Sequence, residues 1–74
     1  SGGTHARHVR IIANGAPTEL PPGATVSDLL AALGLGAKWV VAERNGEAIP
    51  RAAMAATVLA DGDRIELVRA VAGG

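Results

Sequence analysis

Few side chains in this sequence could do chemistry of their own. Cysteine and tyrosine are absent from the 74 residues, which removes the thiolate nucleophile, the thiolate metal site and any disulfide framework. The two histidines, His5 and His8, stand close together near the start. No nucleophile lies beside them in sequence for a base to activate, so His8 reads as a solvent-facing strand residue. Asp61 and Asp63 flank Gly62 and could suggest a metal, but a calcium loop needs further oxygen ligands at set spacings. The pair reads as a turn before a strand. "GLG" at 34–36 follows a helical pattern rather than a strand, so it suits a helix stop and not a dinucleotide fingerprint. Trp39 is the single aromatic residue. It can pack on a sheet edge or stay partly exposed as a contact, and alone it makes no stacking platform for nucleic acid.

The end of the sequence, "VRAVAGG" at 68–74, is the remaining place for chemistry. Beyond Val71 it carries only small side chains, and glycine reaches φ values closed to other residues. An extended peptide covers about 3.3–3.6 Å per residue, so four residues past the last paired strand position could project well beyond the fold. Such an arm would fit a narrow channel in another protein. A carboxylate is a poor electrophile, so chemistry at Gly74 needs activation, most simply as an acyl-adenylate. The bland alternative is a frayed, flexible end.

Composition limits the partners. Seven basic and seven acidic residues give no net charge, which argues against a nucleic-acid or polyanion binder. No run approaches the roughly 20 apolar residues of a membrane span, and none reads as a cleavable export signal; the expectation is a cytoplasmic domain. "SGGTHA" at 1–6 has no apolar periodicity and reads as an expression scar. The division expected is therefore that scar, a domain over 7–70, and a flexible tail over 71–74 ending Gly-Gly.

The elements that must position the tail follow from periodicity. His8 to Asn14 is β-branched and stops at Asn14-Gly15, a tight hairpin signal. A return strand around Thr18 to Leu20 ends at Pro21-Pro22-Gly23. Thr25 and Asp28 have capping-box spacing. Val26, Leu29, Leu30 and Leu33 then share one helical face, and Gly34 suits the left-handed closing position. Trp39 to Arg44 reads as a strand, Asn45-Gly46 as a second hairpin turn, and Glu47 to Ile49 as a short strand halted by Pro50. Arg51 to Thr57 reads as one helical turn or a loop. In the last strand Ile65, Leu67 and Val71 are set against Arg64, Glu66 and Arg69.

This order gives an α+β roll, a mixed four- to five-stranded sheet gripping one main helix, with first and last strands parallel neighbours at the centre. The expected core is Val9, Ile11, Val26, Leu29, Leu30, Leu33, Val41, Ile49, Met54, Leu59, Ile65 and Leu67. Each contributes roughly 1.5–3 kcal/mol on burial against a large chain entropy. So thin a margin leaves little room for an internal active site.

"NGEAIPR" at 45–51 and "LADGDRIELVRAVAGG" at 59–74, with "ANG" after the first strand and "TVSDLL" in the helix, resemble the thiamine-biosynthesis sulfur carrier family. The resemblance covers Val9 to Gly74. It departs at Met54, where relatives often have Trp, and at Ala72, where many have another glycine. It implies a β-grasp (ubiquitin-like) fold and a protein that is not itself an enzyme. A partner related to ubiquitin-activating enzymes, an E1-like adenylyltransferase, would adenylate Gly74 with ATP. A persulfide sulfur donor would convert it to a thiocarboxylate, and thiazole synthase would receive the sulfur. Gly74 is then the covalent site, Gly73 gives access, and Val68, Arg69, Ala70, Val71 and Ala72 are the contact residues. No catalytic residue, metal or bound cofactor is implied on the chain itself, nor a nucleic-acid or membrane partner. Two related readings share the tail: a molybdopterin synthase small subunit, usually longer, and a ubiquitin-like modifier joined to lysines through Gly74. A plain interaction domain without tail chemistry is the third.

Overall fold

The computed structural model describes residues 8–69, and of Ala37 the backbone alone. Strands β1 (Val9–Ala13) and β2 (Ala16–Leu20) form an antiparallel hairpin, followed by helix α1 (Val26–Ala32). Strands β3 (Val40–Arg44) and β4 (Glu47–Ile49) make a second hairpin, and β5 (Arg64–Arg69) comes last. The sheet order is β2-β1-β5-β3-β4, so the last strand lies in the middle, parallel to β1 and antiparallel to β3. This is the expected mixed roll, with five strands.

Both Asn-Gly pairs turn as the sequence implies. Asn14 and Asn45 take φ of 50° and 51°, with Gly15 at 82° and Gly46 at 90°, the positive pair a two-residue hairpin turn requires. β2 begins earlier than Thr18 and includes Pro17. The sheet tolerates that proline because β2 is an edge strand. Pro17 also stands opposite Ile12, whose own N–H donates the other way, to Asp63 O at 2.9 Å.

Helix α1 is capped at both ends. Thr25 Oγ1 accepts from Asp28 N at 3.2 Å, and Thr25 N donates to Asp28 Oδ2 at 2.9 Å, the capping box read from the sequence. The next orphan donors go to the alanine-rich segment: Val26 N to Thr57 O at 3.0 Å and Ser27 N to Met54 O at 3.2 Å. That segment forms a short 3-10 turn, Arg51–Ala53, and buries Met54. At the other end Gly34 N donates to Ala31 O and Leu35 N to Leu30 O. With Gly34 at φ 72° this is a Schellman closure.

The core joins Ile11, Leu20, Val26, Leu29, Leu30, Met54, Leu59, Ile65 and Leu67 with Val40 and three alanines, and Val9, Leu35 and Ile49 pack against it. Two expected members lie outside. Leu33 is 45% exposed, because the helix ends at Ala32 and the closure turns Leu35 inward instead. Val41 is 50% exposed while Val40 and Ala42 are buried. The phase of β3 is the reverse of the expected one. Trp39 is not in that strand but closes a 3-10 turn, Ala37–Trp39. Arg69, set among the polar positions above, shares the phase of Ile65 and Leu67; it is exposed because it lies at the end of the strand.

Candidate functional site

Of the residues expected to work, Val68 and Arg69 are the last two of β5, both exposed. Ala70, Val71, Ala72, Gly73 and Gly74 lie outside the described residues. The described residues form the end of β5 and the contacts that hold that strand in place.

Two turn asparagines hold β5 to its course. At its start Asn45 N donates to Arg64 O at 2.8 Å, Arg64 N donates to Asn45 Oδ1 at 2.9 Å, and Asn45 Nδ2 donates to Asp63 Oδ1 at 3.1 Å. Further along, Asn14 N donates to Ile65 O at 2.9 Å. Its side chain then replaces main chain: Leu67 N donates to Asn14 Oδ1 at 2.7 Å, and Asn14 Nδ2 donates to Leu67 O at 3.2 Å. The sequence marked both asparagines as turn formers; that each also grips the last strand needed the topology.

Asp63 anchors the same strand from below. It is buried, and its carboxylate accepts from Arg44 Nε at 2.9 Å, Asn45 Nδ2 at 3.1 Å and Ala60 N at 2.9 Å. Burial alone would push this carboxyl up. The Ala60 N–H, the Asn45 amide and the Arg44 guanidinium together outweigh it, so Asp63 sits below its ordinary value. Asp61 Oδ1 accepts from Arg10 N at 2.7 Å. The Asp-Gly-Asp turn is thus a structural clamp.

The outer face of the sheet, away from α1, exposes a valine pair and an acidic pair. Val41 and Val68 are direct cross-strand partners, 50% and 61% exposed. Beside them Glu43 and Glu66 are also direct partners, both exposed. Like charges directly opposite each other cost stability, and half-exposed valines gain less than buried ones. Trp39, 49% exposed beneath the Lys38 ammonium at 5.2 Å from its ring, immediately precedes β3. Of the two readings left open for Trp39, the half-exposed one is observed.

At the far end of β5 a shallow open depression of about 490 Å³ is lined by His8, Arg10, Ile12, Glu19, Asp61 and Gly62. Its charges answer one another: Arg10 Nη2 donates to Glu19 Oε2 at 2.6 Å, and His8 Nδ1 lies 4.0 Å from Glu19 Oε1. The hydrogen bond from Arg10, then its charge, holds Glu19 below its ordinary value. Among the described residues no three His, Asp or Glu side chains converge as a metal would require. No helix among them is long and apolar enough to cross a membrane.

A mixed five-stranded sheet gripping one helix, with its last described strand at the centre, is a β-grasp roll. The model of the ThiS family matches residues 7–74, and the chain belongs to that family, the sulfur carriers it resembles in sequence. It is similar to a thiamine biosynthesis protein (ThiS) from Geobacter metallireducens in two solved structures. The crystal structure gives a TM-score of 0.71 at 37% identity, over 89% of this chain and 100% of that one. The solution structure gives 0.70 at 35%, over 89% and 88%. It is also 33% identical over 66 residues to a thiazole synthase of Paramagnetospirillum magneticum, a match covering 89% of this chain and 20% of that protein. The chain thus spans about a fifth of the length of that curated relative.

Proposed function

We propose that this chain is a cytoplasmic sulfur carrier for thiazole formation in thiamine biosynthesis, with Gly74 as the group that works. The observation that carries the reading is that the family match runs through the Gly73-Gly74 pair, while β5, the strand leading there, is clamped on both sides up to Leu67. A rigid strand feeding a slim arm suits a carboxylate that must enter another protein's active site.

In the proposed cycle an E1-like adenylyltransferase joins the Gly74 carboxylate to the adenylyl group of ATP, releasing pyrophosphate. The terminal sulfur of a donor persulfide attacks the activated carbonyl carbon, and the bond to AMP breaks. A thiol then cleaves the sulfur–sulfur bond, leaving a thiocarboxylate on Gly74 and a disulfide on the donor side. Thiazole synthase takes the sulfur from there. The chain holds no cofactor of its own; ATP is consumed by the activating partner, and sulfur travels on Gly74. Gly73 keeps the approach free of side chains. Val68 and Arg69 serve as docking contacts with Ala70, Val71 and Ala72, and the valine pair Val41–Val68 extends that contact onto the sheet. The thiazole synthase relative, only a fifth of which this chain covers, supports that partner over molybdopterin synthase.

Intact mass spectrometry after incubation with the activating enzyme, ATP and a persulfide donor tests the proposal. One oxygen of the chain is replaced by sulfur, and peptide mapping places the change at Gly74. An unchanged mass with a demonstrably active enzyme overturns it.

A further inference from the structure

We propose that β5 presents an open strand edge beyond Leu67, onto which an extended segment of thiazole synthase pairs through its main chain, Arg69 forming the first rung. The proposal rests on the carrier reading above and adds how the partner holds the end of β5.

The edge follows from where β1 stops. β1 accompanies β5 only at Ile12 opposite Arg64 and Ala13 opposite Ile65, and the chain then turns away at Asn14-Gly15. The Asn14 side chain supplies one last rung, to Leu67. On the other side β3 continues, pairing Val41 with Val68 and Val40 with Arg69. Val68 and Arg69 are therefore held extended on one side, while among the described residues no strand accompanies them on the other.

Strand alternation shows which groups face the gap. Ile65 O and both main-chain groups of Leu67 face the β1 side, where Asn14 meets them. Arg64 O faces the β3 side, where it accepts from Asn45 N. Arg69, two residues past Leu67, turns its N–H and C=O toward the β1 side, and among the described residues no main-chain partner stands there. An extended strand paired on one side, with main-chain groups that no described residue meets on the other, is a ready template for strand addition.

Chain length and one relative select the occupant. Five residues follow Arg69, and they reach at most about 18 Å when extended. Whatever receives Gly74 must therefore bring its walls that close to Arg69. The thiazole synthase relative contains a segment similar to this chain within one longer polypeptide, so carrier-like and synthase sequences occur there as one molecule.

The test uses the full chain and the thiazole synthase of the same organism. In the free chain the Arg69 amide exchanges with solvent quickly and the Val68 amide slowly; in the complex the Arg69 amide becomes protected. Arg69→Ala keeps the amide, whereas Arg69→Pro removes it without disturbing the β3 side. The proline variant binds the synthase about tenfold more weakly than the alanine variant, as loss of one main-chain hydrogen bond implies. A complex in which Arg69 exchanges as in the free chain overturns the proposal even if the proline variant folds poorly, and so does equal binding by two folded variants. Absence of any complex also overturns it. The mass assay on Gly74 does not use the synthase, so a positive result there leaves the carrier reading standing in either case.

Discussion

Asp63 makes the strongest single-residue claim on stability. Three donors converge on its buried carboxylate, and Asp63→Ala leaves all of them without an acceptor. The expected loss is about 2–3 kcal/mol, read as a fall of about 10–20 °C in melting temperature. Because its folded pKa lies below the ordinary value, the charged form contributes stability above the unfolded pKa near pH 4. That contribution disappears as pH falls through the folded value. The stability gap between wild type and Asp63→Asn, measured by denaturant titration, therefore narrows below about pH 4 and is constant at neutral pH. Glu66 should behave oppositely. Glu66→Gln relieves the repulsion with Glu43, giving a small rise in melting temperature in a thermal denaturation scan. In sequence both acids looked ordinary, one a turn residue and one a strand's polar position. Only pairing distinguishes them, because neither Arg44 nor Glu43 is their neighbour along the chain.

At the level of elements, local signals were readable and phase was not. The cap at Thr25, the stop at Gly34 and both Asn-Gly turns depend on side chains within a few residues, so spacing alone identified them. The phase of β3 depends on which face the sheet turns to α1. Glu43 offered a clue, since a charged residue two positions from Val41 favours the solvent side for both. Leu33 was misplaced because the i+7 position lies past the last helical residue, Ala32, and the closure at Gly34 brings Leu35 inward instead. Gly34→Ala isolates that closure: a Cβ there meets nothing within 4 Å, so the cost of about 1–2 kcal/mol is the left-handed backbone alone. Asn14→Gly keeps a residue that accepts positive φ but deletes the amide grip on Leu67. It should cost about 1–2 kcal/mol and speed hydrogen exchange at the Leu67 amide.

For the whole molecule, the proposed carrier role predicts that folding and function separate at the tail. Deleting Gly73 and Gly74 should leave the melting temperature nearly unchanged and abolish the sulfur-for-oxygen mass change; a large loss of stability would mean that the tail is structural. One residue appended after Gly74 should abolish the mass change too, since the carboxylate then sits on the wrong atom. The central place of β5 was legible from the order of elements, but its flanking amide grips were not. That placement also bears on biosynthesis. β5 is the last described strand to be made, yet Leu67 meets Asn14 across 53 residues, and the sheet has no middle without it. A nascent chain that has not yet released residues 64–69 from the ribosome can hold only two separate hairpins, so the sheet face, with Val68 in it, exists only once synthesis has passed the strand.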